Sequence, residues 1–518
     1  MTNLLNQLQQ ASKALNTAVE PEACLGLLLA ELRRLCRADL VLLFQPDTPR
    51  HWRLVEAWPA ELTLPLAPPI EIVWGETDSG PRQRTALEQI LQQRQGLCCH
   101  DPIRAGEFNF SYLRVIEIGL ERQIISSLLL PLAGPKGRAE RVIELHRLEP
   151  GLFPQGFSAD ELAAALILTQ QAESSLLRMN VRREMTDLFE ALIQLIGSTI
   201  DEKSPYSGDH CRRVPVIALS LARAVSRSQV SVFKSVKFTF AELYELEVAA
   251  WLHDIGKLVT PIQITDKATK LERIIDRFDL VRTRFEIVQR DLEIARLRAN
   301  RTGAEVKQAA PSQEAARMID DLRFLADCNR GRSSLSAEET RRVHEIAEKY
   351  RWMDRQGEEM SVLTDDEVAN LTVLRGTITD AEREMINQHV VSTINMLDML
   401  PFPEELARVP EIAASHHEYP NGQGFPSGLR SEQMLIQSRI LGFADLFESV
   451  SSGSRSYKKS NSLNQALWIL REMVDAGQAD RDLFCLFVAE KLFAEYAAEF
   501  LSRDQIDQVN CAALLAGL

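Results

Sequence analysis

The stretch AAWLHDIGKL (249–258) ends an apolar helical run on an adjacent histidine and aspartate, with a glycine and a lysine close behind. A buried, unpaired charge is costly, so any fold of this chain has to bring partners to His253 and Asp254 from elsewhere. The same residue types recur in similar settings. His210 stands in YSGDHCRRV, His389 in EREMINQHV, His416 and His417 in ASHHEYPNGQGFP, and Asp445 in ILGFADLFESV, an otherwise apolar helix. A single histidine on such a face is ordinarily a core residue with one hydrogen bond. Five of the nine histidines, together with Asp445, ask for one explanation. Imidazole and carboxylate are ligands of zinc, iron, manganese and similar ions. A pair of such ions can clamp a phosphodiester for in-line attack, with Asp254 as the bridging carboxylate. Lys257 falls about one turn after His253 if the helix continues, which sets an ammonium beside the site, suited to a phosphate oxygen.

A chain of 518 residues exceeds one ordinary core, so two or three domains are expected. The net charge of -14 argues against a general nucleic-acid binder, and no DNA partner is expected. A small phosphate ligand needs only a local patch. No apolar run reaches the roughly 20 residues of a membrane span, and MTNLLNQLQQASKAL lacks the basic start and apolar core of a signal peptide. It reads as an amphipathic helix. The eight cysteines show no paired metal spacing and, scattered as they are, suit a reducing cytoplasm.

Residues 1–155 mix helix and strand. Pro21–Arg37 carries Leu25, Leu28, Leu29 and Leu32 at helical spacing. DLVLLFQPD (39–47) and HWRLVEAW (51–58) read as strands around a short turn, and RTALEQILQQR (84–94) as a helix. SSLLLPLAGPKGRAERVIELHRL (126–148) reads as two strands joined by a Gly/Pro/Lys turn. This pattern resembles a GAF domain, which implies either small-molecule sensing or subunit joining. Residues 156–199 are expected to form a long connecting helix, opened by the capping-box pair Ser158 and Glu161. A helix of that length needs a partner for its apolar stripe, so a homodimer through the GAF-like domain and this helix is expected.

From about 200 to 510 the chain reads as all-α. Within it, residues 265–375 are dense in opposite charges three or four apart and read as a helical insertion, a hairpin or coiled-coil excursion with a solvated face. Segments KLERIIDRFDLVRTRFEIVQRDLEIARLRANR (270–301) and ETRRVHEIAEKYRWMD (339–354) carry that reading.

The ordered His, His-Asp, His, His-His, Asp set resembles the HD-GYP subgroup of the HD phosphohydrolase superfamily. HHEYPNGQGFPSGL (416–429) is similar to that family's HHE…DG.GYP.GL segment, and ILGFADLFESV with SRSYKK (454–459) to its AD…DA…RPYR stretch. VTPIQITD (259–266) and LTDDEVANL (363–371) look like pieces that usually lie much closer together. The resemblance implies a multidomain protein: an N-terminal α/β GAF-like domain, a connecting helix and an all-α HD-GYP-type domain. It implies that His210, His253, Asp254 and Asp445 hold one divalent ion, and that Asp254, His389, His416 and His417 hold a second. Iron or manganese come first, with nickel, zinc and magnesium as further candidates. The implied activity is hydrolysis of cyclic di-GMP to pGpG, and possible further cleavage to GMP, with Asp254 and Lys257 catalytic. Lys257, the Gly424–Phe425–Pro426 loop and Arg455, Tyr457 and Lys458 are implied to contact substrate. The loop and the insertion are also candidate surfaces for signalling partners. Family members with a third metal have a glutamate where this chain has Tyr206, so a two-metal centre is expected. Other departures are Phe425 for Tyr in GYP, Asn421 for Asp, Ser456 for Pro, and Glu448–Ser449 for Asp-Ala. None of these is expected to touch a metal ligand. A receptor that binds without cleaving, and a phosphohydrolase of another nucleotide or alarmone, stand as alternatives.

Overall fold

LVLLF (40–44) is apolar at five successive positions, the pattern of a strand buried on both faces. The computed structural model describes residues 2–18, 20–48, 51–58, 72–73, 86, 90, 93–104, 111–134, 139–149, 155–203, 209–302, 311–331, 334–452 and 461–518. In it this strand, β1 (Leu40–Thr48), lies inside a six-stranded sheet of order β3-β2-β1-β6-β5-β4. The others are β2 (His51–Trp58), β3 (Ile72–Val73), β4 (Leu97–His100), β5 (Gln123–Ala133) and β6 (Ala139–Glu149), and each neighbouring pair is antiparallel. Side chains alternate across the sheet. Leu40, Leu42 and Phe44 enter a core with Tyr112, Leu113 and Ile116 of α3 (Ser111–Leu120). Val41 and Leu43 enter a second core with residues of α1 (Thr2–Thr17), α2 (Pro21–Leu35) and α4 (Ala159–Lys203).

The chain divides into two units, Met1–Phe189 and Glu190–Leu518. The first is a mixed α/β domain, as expected, although β4 and α3 were not read from the sequence. The helix expected over 84–94 lies largely outside the described residues. The buried Arg147 on β6 ties this unit together: it donates to the carbonyls of Cys36 and Gly156 and to the Glu161 carboxylate, each at 2.7 Å. Helix α4 is 45 residues long. Its capping box forms as expected: the Ser158 amide donates to Glu161 Oε2 at 2.8 Å, and the Glu161 amide to Ser158 Oγ at 3.3 Å.

The second unit is mostly helical. Its framework helices are α5 (His210–Arg227), α6 (Phe240–Leu252), α11 (Asp380–Leu397), α12 (Val409–Ala414) and α13 (Ile436–Ser451). The segment between them contains α7 (Phe278–Thr302), α8 (Pro311–Asn329), α9 (Ala337–Lys349) and α10 (Asp365–Leu371). Two expectations need correction here. The unit is not purely α: Arg351–Met353 (β7) and Glu359–Ser361 (β8) pair as an antiparallel hairpin. The turn needs Gly357 at φ 84°, and Asp354 Oδ1 accepts the amides of Gln356 and Glu358. The charged helix expected over 339–354 therefore stops at Lys349. Nor is the segment only a solvated excursion. Leu271, Phe285, Leu325, Val343, Tyr350 and Val362 belong to a core of its own.

The ends of this segment close on one another. Buried Lys267 donates to Asn370 Oδ1 at 2.7 Å and to both Glu382 oxygens at 2.8 Å. Lys270 donates to the carbonyls of Leu371 and Val373. The two stretches that looked displaced in sequence, around 259–266 and 363–371, are thus linked by their neighbours in space.

Candidate metal centre

Helix α6 opens with a Thr239–Glu242 capping box and ends at Leu252. His253 follows, and a 3-10 turn, Ile255–Leu258, carries Lys257. The helix does not continue to Lys257 as the sequence suggested, but the tighter turn still brings its ammonium to Asp254 Oδ2 at 2.5 Å. The turn sits hard against α11. A Cβ on Gly256 would lie 1.9 Å from the His389 carbonyl oxygen, so only glycine permits that approach. Thr393 Oγ1 stitches the contact, accepting the Gly256 amide at 3.0 Å and donating to the His253 carbonyl at 3.1 Å.

Five elements bring the histidines and aspartates together. His210 begins α5, His253 caps the end of α6, His389 lies on α11, His416 and His417 follow α12, and Asp445 lies on α13. Three rings share one device: Nδ1 faces the carbonyl three residues back, at 2.7 Å for His253 and Ala250, and at 2.6 Å for His389 and Ile386 and for His416 and Ala413. A carbonyl can only accept, so Nδ1 carries the proton and Nε2 presents a lone pair. His210 Nδ1 donates instead to Glu448 Oε2, at 2.6 Å.

Asp254, 1% exposed, divides its oxygens between two groups of rings. Oδ2 lies 3.3 Å from Nε2 of both His210 and His253. Oδ1 lies 3.3 Å from His389 Nε2 and 3.9 Å from His416 Nε2. Asp445 Oδ1 is 3.3 Å from His210 Nε2, and its Oδ2 is 3.9 Å from His417 Nδ1. Ligand atoms of His210, His253 and Asp254 lie within 4.8 Å of one another, as do those of His389, His416 and His417.

The electrostatics follow from this crowding. Burial opposes charge on Asp254, yet Lys257 and then His253 hold its carboxyl well below the usual range. Asp445 is also held below its usual range, by His210 against the cost of burial. Burial pushes His416 well below its ordinary value and His417 down to about 4. For His210 burial works downward, but Glu448, Asp254 and Asp445 outweigh it and raise the ring well above its ordinary value. Desolvation also works downward on Lys257, and Asp254 and Asp445 reverse it.

The donor set fits divalent cations. Asp254 Oδ1, His389 Nε2 and His416 Nε2 are buried with no hydrogen-bond partner among the described residues. His210 Nε2 and His253 Nε2 face each other at 3.3 Å. The Nε2 lone pairs of His389 and His416, aimed at the Asp254 carboxylate, repel it unless a cation lies between them. Two clusters able to hold such ions are therefore present, and a carboxylate stands between them.

The loop after the double histidine folds back on it. A Cβ on Gly424 would lie 2.3 Å from the Tyr419 amide nitrogen and 2.5 Å from the His417 carbonyl oxygen. The Phe425 ring lies on the His417 ring, 4.8 Å between centroids and tilted by 31°, and Pro426 follows in the same loop. Arg455, Tyr457 and Lys458, and also Tyr206 and Ser456, lie outside the described residues.

Residues missed in the sequence complete the site. The Glu418 carboxylate accepts the amides of Ser427 at 2.6 Å and Leu429 at 2.9 Å, and so shapes the loop. Glu448 is expected from the sequence to touch no metal ligand, and the structure corrects that expectation. It is 2% exposed, holds His210, and meets Arg213 Nη1 at 3.4 Å. The signal was available: Glu448 stands three residues after Asp445, on the same face of an apolar helix.

Fold and site together define a class, a mixed α/β domain joined to a mostly helical unit with a histidine–aspartate centre able to hold divalent metals. A family model described as HD domain matches residues 323–483. A 3'3'-cGAMP-specific phosphodiesterase 1 of Vibrio cholerae is 33% identical over 113 residues, covering 22% of this chain and 25% of that protein. A cyclic di-GMP phosphodiesterase of Thermotoga maritima is 34% identical over 91 residues, covering 18% of this chain and 24% of that protein. The chain thus spans about a quarter of the length of these relatives. Among solved structures, the GAF domain of a phosphoenolpyruvate-protein phosphotransferase from Coxiella burnetii aligns at 15% identity and TM-score 0.27, covering 35% of this chain and 98% of that one. A GAF domain/HD domain protein from Geobacter sulfurreducens aligns at 17% identity and TM-score 0.23, covering 32% and 98%.

Proposed function

We propose that the chain is a metal-dependent phosphodiesterase of the HD-GYP type that opens a cyclic dinucleotide, with cyclic di-GMP the first candidate and pGpG the product. The observation that carries this reading is Asp254, whose two oxygens face two separate groups of imidazoles while Lys257 lies against one of them. In it, His210, His253, Asp254 and Asp445 would hold one ion, and Asp254, His389, His416 and His417 the other. Two bound ions, iron or manganese by resemblance, supply Lewis acidity at phosphorus and an acidified water. The protein's own part is to fix the rings, keep the carboxylates charged and aim the Lys257 ammonium at a non-bridging phosphate oxygen. Hydrolysis joins the oxygen of one water to phosphorus and breaks the bond to a ribose 3′ oxygen, which takes its proton from solvent. The Gly424–Phe425–Pro426 loop, placed beside His417, serves as one wall of the substrate site. Arg455, Tyr457 and Lys458 are assigned to the ligand by resemblance alone.

Relatives named for 3'3'-cGAMP and for cyclic di-GMP both bear on the substrate, so both nucleotides belong in the test. Protein purified without oxygen is assayed for iron, manganese, nickel and zinc. The same sample is then incubated with each dinucleotide, an alarmone and a nucleoside triphosphate. Two ions per chain and a linear dinucleotide product are expected. Two ions with no cleavage of either cyclic dinucleotide would overturn the reading, and tight binding without product would mark a receptor instead.

The α/β domain and α4 supply regulation and pairing in this proposal. Val181, Met185, Leu188, Leu192 and Leu195 are exposed along α4 at alternating spacings of four and three. That spacing suits a coiled-coil seam against a second copy of the chain. No helix among the described residues is long and apolar enough to cross a membrane, and the proposed setting is the cytoplasm.

A further inference from the structure

The last turn of α4 carries an acid and a base two residues apart, and each ends on a different piece of the metal centre. Lys203 Nζ donates to the carbonyl oxygens of Lys257 at 2.6 Å and of Leu258 and Thr260 at 2.7 Å. An ammonium has three N–H groups, and here three carbonyls take them. Those carbonyls lie in and just after the 3-10 turn that follows Asp254. Asp201 acts at the other end. Its oxygens accept the Cys211 amide at 3.1 and 3.3 Å, and Cys211 is the second residue of the helix that His210 begins. Asp209, which occupies the N-cap position, has φ 64° and caps none of that helix's amides with its side chain, which instead pairs with Arg213 at 4.0 Å. Asp201 supplies the missing acceptor from another helix. One turn earlier, a Cβ on Gly197 would sit 2.7 Å from the Trp251 ring and 3.4 Å from Cys211 Cβ, so α4 lies close to both α6 and α5.

We infer that Asp201 and Lys203 are positioning residues for the metal centre: together they hold the His210 end of α5 and the Asp254–Lys257 turn in register. The inference rests on the metal-dependent reading above. Both residues belong to the helix that begins at Ala159, so the connecting helix itself grips two of the segments that present ligands. Neither side chain belongs to either ligand cluster. Their effect passes through the backbone they hold.

The test uses the full chain. Lys203→Met and Asp201→Ala remove the contacts, while Lys203→Arg and Asp201→Asn restore a donor and an acceptor. Mn(II) affinity and stoichiometry are measured by competition with a chromophoric chelator, alongside the unfolding temperature of chelator-treated protein. Each truncation is expected to weaken at least one ion about tenfold or more, the cost of losing an outer-shell partner, and the conservative variants to regain most of it. Lys203→Gln, which keeps two donors, carries the test if Lys203→Met does not fold. Unchanged Mn(II) affinity in the folded variants, whatever their unfolding temperature, would overturn the inference. Wild-type protein that takes up no ion would instead sink the metal-dependent reading itself.

Discussion

A proton fixed on Nδ1 decides what each imidazole can offer, and three of the five rings have theirs committed to a carbonyl three residues back. The site is built by local helix geometry as much as by long-range contact. Asp254 is the residue on which the two ring groups meet. Asp254→Asn keeps its shape but removes its charge. We expect metal content to fall below two ions per chain, and turnover to drop by more than the about 10–100-fold that losing an outer-shell partner costs. Elemental analysis with a product assay checks both. Gly256→Ala tests packing rather than charge. Its Cβ would meet backbone 1.9 Å away, so the loss in stability should reach or pass the upper end of the roughly 1–3 kcal/mol typical of overpacking, read from the denaturant midpoint. The histidines and aspartates were legible because polar residues in apolar helices are conspicuous. Glu448 was legible only as a polar neighbour of Asp445 on one helix face, and Lys203 not at all, because nothing in a linear sequence says which distant ring or carbonyl a charged side chain will reach.

At the scale of elements, legibility followed pattern strength. β1, β2, β5, β6 and α4 stood out through unbroken apolar runs, a turn signal or a capping pair. The β7–β8 hairpin did not, since three-residue strands carry too little alternation to read. Segment 265–375 reads as a solvated face because its charges hide a core. Asp321 shows how those charges are used: it is 9% exposed and accepts from Arg342 at 2.9 Å, Lys349 at 3.1 Å and the Tyr350 hydroxyl at 2.8 Å. Burial raises its carboxyl, but Arg342, Tyr350 and Lys349 outweigh that and hold it below the usual range. A carboxyl depressed on folding stabilises fully above its unfolded value, about 3.9, and loses that contribution as pH falls through its folded value. Acidification from pH 6 to pH 2 should therefore lower the unfolding temperature. Asp321→Asn should start lower at pH 6 and show a shallower fall; equal slopes for the two proteins would contradict this.

At the scale of the whole molecule, two units share one long helix, and the α4 seam predicts self-association. Leu188→Glu with Leu192→Glu places charge on two seam positions that are 61% and 48% exposed in the single chain. Sedimentation should show wild type as a dimer and the double variant shifted to monomer, with folding unchanged because neither side chain serves a core. The sharing of Asp254 has its own implication for how the centre is assembled. A carboxylate is planar, so rotating it to suit one ion swings the opposite oxygen as well. If two ions share Asp254 as proposed, the pose that suits one would constrain the other. Uptake of the two ions should therefore be coupled, and a metal titration of the wild type should not fit two independent sites.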